Sequence, residues 1–411
     1  MSLVSSLFTG VRGLSSNSQA MGVIGDNISN VNTIGFKESK AVFSDIFSTI
    51  LTNGSVTSQL GRGSTLQGTI QSFNQGSLQS STNALDLAID GSGFFVVNNG
   101  TGNFYTRAGQ FRLNSDGLVQ AITGEILQGQ QITNGTVSST VSNIDLAGVQ
   151  SEPQASTTFQ LGANLNSAST AATTFNSPIT IYNSVGSQTI LNIQFTKVAN
   201  ANSWTYSISS TDGTVTSGAS GTVSFNTSGQ LSAINGSLAD QTIVIDYSSA
   251  NPPAAEQTLT WDLVDASNAT LGKLTGFAAE SNNNSLTQDG FTTGTLVGLT
   301  VNSEGVIGGL FNNGQTSNLY QVTMADFLAP SGLTRQGQNL FSESAESGQP
   351  TLGLAGSGGF GNIAGQSLEL SNVDLAEQFV TLIQTQQAFQ ASARIITTTD
   401  DLLTEAVNLV R

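Results

Sequence analysis

Apolar positions keep one rhythm at the two ends of the chain and another in the middle. Near the start, Leu7, Val11, Leu14, Met21 and Ile28 recur at steps of four and three, with Ser18 and Gly25 filling the remaining places. Near the end the same rhythm is stronger. Leu375, Phe379, Leu382, Gln386, Phe389, Ala393, Ile396, Asp400, Leu403, Val407 and Val410 follow it without a break, and nine of these eleven are apolar. Both spacing and length are those of a coiled-coil seam. The pattern predicts one helix over 1–30 and another over 366–411. Asn372 or Asp374 can cap the start of the second. Gln386 and Asp400 read as polar seam positions that fix register.

The middle alternates with a period of two. Leu85, Leu87 and Ile89 do so, as do Trp204, Tyr206 and Ile208, then Ile243, Ile245 and Tyr247, then Leu259, Trp261 and Leu263. Such alternation marks half-buried antiparallel strands, with both tryptophans at core positions. Asn114-Ser115-Asp116-Gly117 and Asn302-Ser303-Glu304-Gly305 are near-copies, and Asn226-Thr227-Ser228-Gly229 is a looser third. Each suits a tight turn whose glycine takes a positive φ. The fold class expected is mixed: mainly-β globular middle domains between α-helical, coiled-coil terminal segments.

Breaks in composition divide the chain further. An N-terminal helix over 1–30 pairs with 366–411, and a connecting segment covers 31–75. An inner β domain is expected from 76–148 with 287–352, and an outer β domain is inserted over 149–286. Six glycines between Leu352 and Gly365 suggest a flexible joint over 353–365. The stretch from Gly54 to Gly76 is a second candidate joint.

Composition narrows the functions available. Only 9% of the 411 residues are charged, against roughly a quarter in ordinary soluble domains. Ser, Thr, Asn, Gln and Gly must cover the surface. Such a surface slides against copies of itself with little attraction or repulsion. The net charge of −16 argues against nucleic-acid binding and against docking on anionic lipid. No run of 18 apolar residues suggests membrane insertion. No secretory signal is expected at the start, where the first basic residue is Arg12 and no apolar run follows.

Catalytic chemistry finds little to work with. The sequence has neither histidine nor cysteine, which excludes Ser-His-Asp and Cys-His machinery, the usual zinc sites and disulfides. Asp86 and Asp90 could face one side of a strand as a carboxylate pair, but solvated surface carboxylates are far commoner. Gly356-Ser357-Gly358-Gly359-Phe360-Gly361 matches a dinucleotide fingerprint by letter, without the strand–turn–helix context that gives the letters meaning. The Asp-Gly turns lack the alternating acidic ligands of a calcium loop. No cofactor, metal or catalytic residue is expected.

Several longer stretches carry a resemblance. Asn27-Ile28-Ser29-Asn30-Val31-Asn32-Thr33-Ile34-Gly35-Phe36-Lys37, at the end of the first helix, resembles the signature of axial proteins of the bacterial flagellum, found in rod and hook subunits. Leu85 to Phe95 and Tyr105 to Phe111 are similar to the same group. So is Leu368-Glu369-Leu370-Ser371-Asn372-Val373-Asp374-Leu375, the lead into the last helix. Gln384 to Ala393 and Asn408 to Arg411 continue the likeness. The motif positions singled out are Asn27, Asn30, Val31, Asn32, Gly35, Phe36, Asn372, Val373, Asp374 and Leu375. The resemblance covers about 1–145 and 290–411, and the size of the insert points to the hook.

The resemblance implies a structural subunit that polymerises into the curved, flexible tube joining rod to filament. The implied partners are other copies of the chain, the distal rod protein, the hook cap protein, the hook–filament junction protein and the flagellar type III export apparatus. It implies a place outside the cell, reached without cleavage of a signal peptide. Self-assembly would run through Leu7, Val11, Leu14, Met21 and Ile28 with Leu375, Phe379, Leu382, Phe389, Ile396, Leu403 and Val407. Two other readings stand beside it: a distal rod subunit of the basal body, and a secreted β-rich adhesin or carbohydrate-binding protein.

Overall fold

The computed structural model describes residues 3–46, 49–53, 56–199, 201–265 and 269–409. Val410, the last expected seam position, and Gly54 lie outside the described residues. Helix α1 runs from Leu3 to Ser29 and helix α2 from Leu375 to Leu409, with β-strands between them. The chain divides into two compact units. One holds residues 1–148, 298–309 and 317–411, and the other holds 149–297 and 310–316.

In the first unit α1 and α2 lie antiparallel, with Gly10 beside Ile396 and Asn27 beside Gln378. An antiparallel hairpin of Ser39–Asp45 with Ser64–Gln71 follows α1. The main sheet runs in the order Thr316–Asp326, Ile126–Thr133, Phe94–Asn98, Asn103–Thr106, Leu340–Ser342, Thr334–Gly337. Strand alternation sends Phe95, Val97 and Met324 into one core and Phe94, Val96 and Ala325 into another on the opposite face. Both faces are covered, so Phe94 to Val97 read as an unbroken apolar run. The second core is aromatic, with Phe73 edge-on to Phe94 at 5.3 Å and Tyr105 edge-on to Phe327 at 4.8 Å.

The glycine-rich stretch 353–365 is not the joint expected of it. Thr351–Leu354 pairs with Thr316–Asp326, and Asn362–Gly365 pairs with Leu87–Asp90. Ala355 and Ile363 are buried. A Cβ on Gly353 would lie 2.3 Å from the Phe360 ring, and one on Gly361 would lie 2.4 Å from the Asp90 carbonyl oxygen. Glycine serves here to bring backbone against its neighbours.

The second unit contains two sheets whose inner faces meet in one core. Thr158–Asn164, Gln241–Asp246 and Gln257–Trp261 belong to one sheet, and Thr174–Tyr182, Gln188–Lys197 and Ser203–Ser210 to the other. Trp204 and Trp261 are fully buried, the latter stacked on Phe159 at 5.8 Å. The unit extends to residue 297 instead of the expected 286. Asn282–Gln288 pairs with Thr158–Asn164, and Gln150 and Ser151 pair with Thr295 and Gly294, so the closing strands cannot be separated from it.

All three expected turns are built by one device. Asn114 Oδ1 accepts from the N–H groups of Asp116 and Leu118, each at 2.9 Å. Asn302 does the same for Glu304 and Val306 at 3.0 and 2.9 Å, and Asn226 for Ser228 and Gln230 at 2.9 Å. The glycine closing each has φ of 83°, 73° and 77° at Gly117, Gly305 and Gly229.

Candidate assembly surface

The motif residues form an anchor for the helical pair. Asn27, buried near the end of α1, donates to the Ser39 carbonyl at 2.8 Å and to Gln378 Oε1 at 3.2 Å. Its own Oδ1 accepts from the Ser39 N–H at 2.9 Å. One side chain thus ties α1 to the following strand and to α2. Asn30 bonds back to the Asp26 carbonyl at 2.9 Å as α1 ends. Gly35 has φ 69°, and a Cβ there would lie 2.5 Å from the Ala108 nitrogen, so only glycine fits. Phe36 is buried under the Arg335 guanidinium, 5.4 Å from its ring. Val31 is half-buried and Asn32 exposed.

At the other end of the chain, Asp374 caps α2, its Oδ1 accepting from the Ala376 N–H at 2.8 Å. Asn372, the alternative cap, is used elsewhere. Its Oδ1 accepts from the Glu38 N–H at 2.8 Å, and its amide donates to the carbonyls of Ser72 at 2.9 Å and Asn74 at 3.1 Å. Val373 is buried and Leu375 exposed.

Three charged residues complete the anchor. Glu369 Oε1 accepts from Lys37 Nζ at 2.7 Å and from the Gly76 N–H at 2.8 Å. Its Oε2 faces Arg107 Nη1 at 3.4 Å, and its backbone carbonyl accepts from the Gly35 N–H at 2.8 Å. Arg107 Nη2 reaches the Gly91 carbonyl at 2.8 Å, and Lys37 Nζ also reaches that of Asn74 at 2.8 Å. Burial pulls Lys37 and Arg107 below their ordinary pKa values, against the pull of the single carboxylate they share. Sequence reasoning did not single these three out. The signal was present: with 11 basic residues in the whole chain, Lys37 and Arg107 each fall inside a motif, and Glu369 inside a third.

The seam between the helices mixes small and polar residues with apolar ones. On α1 the inward line is Gly10, Gly13, Asn17, Ala20, Ile24 and Asn27. Each lies one position before the expected seam of Val11, Leu14, Ser18, Met21, Gly25 and Ile28, about 100° round the helix. On α2, Leu382, Phe389, Ile396 and Leu403 keep inward places and are half-buried. The positions between them belong to Gln378, Thr385, Ser392 and Thr399, where Phe379, Gln386, Ala393 and Asp400 were expected. Gln386 and Asp400 face solvent and set no intrachain register.

Two physical reasons account for the shift. Glycine lets the helices close, for a Cβ on Gly10 would lie 2.9 Å from Ile396 Cγ1 and one on Gly13 2.8 Å from Ser392 Oγ. The hydroxyls need no partner across the seam. Thr385, Ser392 and Thr399 donate to the carbonyls of Thr381, Ala388 and Ile395 on their own helix at 2.8, 2.9 and 2.6 Å.

Apolar residues point outward as well, both expected seam positions and others between them. Val4, Phe8 and Val11 on α1 are exposed, as are Leu375, Phe379, Val380, Ile383, Ile395, Leu402 and Val407 on α2. Leu7, Leu14, Met21 and Ile28 are half-buried. Asp86 and Asp90 do not act as a pair: Asp86 accepts from Asn83 Nδ2 at 3.0 Å and Asp90 from Gln75 Nε2 at 3.2 Å, each holding a different loop. Among the described residues no acidic cluster is placed to hold a metal, and no helix is long and apolar enough to cross a membrane.

Comparison with known families agrees with this layout along the chain. Residues 7–37 match the flagella basal body rod protein family, 88–151 the flagellar hook protein FlgE/F/G D1 domain, 143–291 the flagellar basal body protein FlaE D2 domain, and 364–409 the flagellar basal body rod FlgEFG protein C-terminal family. These place the chain among the axial proteins of the bacterial flagellum. The flagellar hook protein FlgE of Borreliella burgdorferi is 32% identical over 444 aligned positions, which cover 99% of this chain and 100% of that one. The FlgE of Treponema pallidum is 30% identical over the whole of both chains. That of Escherichia coli is 30% identical over 97% of this chain and 98% of its own. The chain belongs to the flagellar hook protein FlgE family and is a structural subunit of the hook, a flagellar part that contacts the rod. The distal-rod and adhesin readings are not favoured.

Proposed function

We propose that the subunit builds the hook through the outward apolar faces of α1 and α2, and that the seam between those helices holds the pair together within one chain. The observation that carries this reading is the apolar surface the pair leaves outside: Gly10, Gly13 and Ala20 of α1 turn toward α2, and Phe8, Phe379, Val380, Ile383 and Leu402 are left exposed. Each such side chain is already about half buried, so burying the rest in a neighbouring copy contributes roughly 1 kcal/mol. The two β units, poor in charge, supply weaker outer contacts that shift as the tube bends. The assembled tube then serves as a universal joint between rod and filament. Family membership supports the remaining parts: passage through the type III export apparatus without a cleaved signal, assembly outside the cell beneath a cap protein, and junctions with the distal rod and with the filament.

The double variant Phe379→Ser, Ile383→Ser tests the reading. It should keep the far-UV spectrum and melting of the wild-type monomer and build no hooks in cells. Hooks of normal length and number from this variant would refute the outward faces as the assembly surface.

A further inference from the structure

Leu328 is 99% exposed, yet nothing about its backbone is loose. Phe327 before it is buried edge-on against Tyr105 and Phe94. After it, Pro330–Gly332 forms one turn of 3-10 helix, and Leu333 returns to the core. The Gly332 carbonyl accepts from Ser344 Oγ at 2.6 Å, and a Cβ on Gly332 would lie 2.7 Å from the Ser347 nitrogen. The tip Leu328-Ala329-Pro330-Ser331 carries no charge. A leucine held out on a fixed turn in this way is a knob without a socket.

The same unit contains a socket of suitable character. A cavity of about 360 Å³ opens among Ile34, Ala108, Ala121, Ile122, Leu340 and Phe341, and Leu328 does not line it. Arg335 is the one charged residue on its wall. That guanidinium is already engaged, 3.3 Å from Asp26 and 5.4 Å over Phe36. An uncharged tip entering there leaves no charge unpaired.

We propose that Leu328 of one copy seats in this cavity on a second copy. The occupant follows from the chain itself. The family to which the chain belongs assembles as a structural polymer, and a knob that seats in the socket of the next copy, whose own knob seats in a third, is the head-to-tail contact an open helical polymer uses. The proposal rests on the chain polymerising as a hook subunit, and adds to the helical surface a second contact through the β unit. The absence of cysteine makes it testable by cross-linking. Hooks assembled from the Leu328→Cys, Ile122→Cys double variant and then oxidised should run as a ladder of covalent oligomers, while either single variant gives monomer only. Separately, Leu328→Ser should leave monomer melting unchanged, and its hooks should dissociate at lower urea than wild-type hooks or fail to form. Hooks of the double variant without a ladder, or an unchanged dissociation midpoint, overturn the contact while leaving the helical reading to stand or fall on the Phe379 and Ile383 variants.

Discussion

Lys37 and Glu369 are 332 positions apart in sequence and 2.7 Å apart in space, with both side chains fully buried. Arg107 shares the same carboxylate. One acid therefore holds the loop after α1, the strand end at Thr106 and the lead into α2. A buried pair of this kind gives little net stability, because desolvation offsets attraction, but losing one partner strands the other.

The first prediction concerns that asymmetry. Glu369→Gln leaves two buried cations without their counter-charge and should destabilise the first unit by about 3–5 kcal/mol. Lys37→Met removes a buried charge and keeps the Arg107 contact, and should cost clearly less. Urea unfolding of the two monomers measures both. Equal losses would mean that the node acts as packing alone.

The helical seam makes a second prediction. Gly13→Leu pushes a side chain into Ser392, whose Oγ already lies 2.8 Å from the position of an added Cβ. Overpacking of this type costs about 1–3 kcal/mol. The helices should part, seen as faster proteolysis near both termini, while the β units melt as before. Wild-type protease resistance would show that the seam tolerates bulk.

Replacing the late glycines should weaken the fold without stiffening a joint. A methyl at Gly361 meets backbone at Asp90, and one at Gly353 meets the Phe360 ring. Gly361→Ala should therefore lower the unfolding midpoint of the first unit, by about 1–3 kcal/mol of stability. Normal stability combined with straightened hooks would restore the joint.

The second unit should respond to acid through Asp289. Burial alone would raise its pKa, but hydrogen bonds from the Thr157 hydroxyl and the N–H groups of Thr157 and Thr158 outweigh this and hold it below 3.8. A carboxyl depressed on folding adds stability that is present above its unfolded pKa and lost as pH falls through the folded one. Wild type should thus exceed Asp289→Asn in stability at neutral pH, and the gap should close below pH 3.8. A gap that does not change with pH would assign the effect to geometry and not to charge.

How much of this was legible in the sequence differs by element. The three Asn-to-Gly turns were readable because one asparagine side chain builds each locally. The period of both helices was readable too, but not which of its residues would meet within one chain: Leu382, Phe389, Ile396 and Leu403 turn inward on α2, whereas Val11, Leu375, Phe379 and Val407 are exposed. Periodicity reports where apolar residues lie, and the natural assumption is that they line the nearest seam. Here the seam sets Gly10, Gly13 and Ala20 of α1 against an α2 face where Phe389 and Ile396 alternate with Ser392 and Thr399, whose hydroxyls are satisfied within their own helix. Gly353 and Gly361 were misread because glycine serves loose chain and tight packing equally well. Glu369 stood within a recognised motif, yet only the fold shows two cations converging on it.

The outward stripe from Leu375 to Val407 sets its apolar residues among Glu377, Asp400, Asp401 and Glu405, all exposed, with Arg394 as the one cation. Packed copies therefore bring like charges together, and dissolved salt screens that repulsion. The apolar contacts themselves weaken in the cold, because the drive to bury apolar surface falls as water cools. An appendage held together in this way is loosened by chilling and by fresh water, and gains strength in brine.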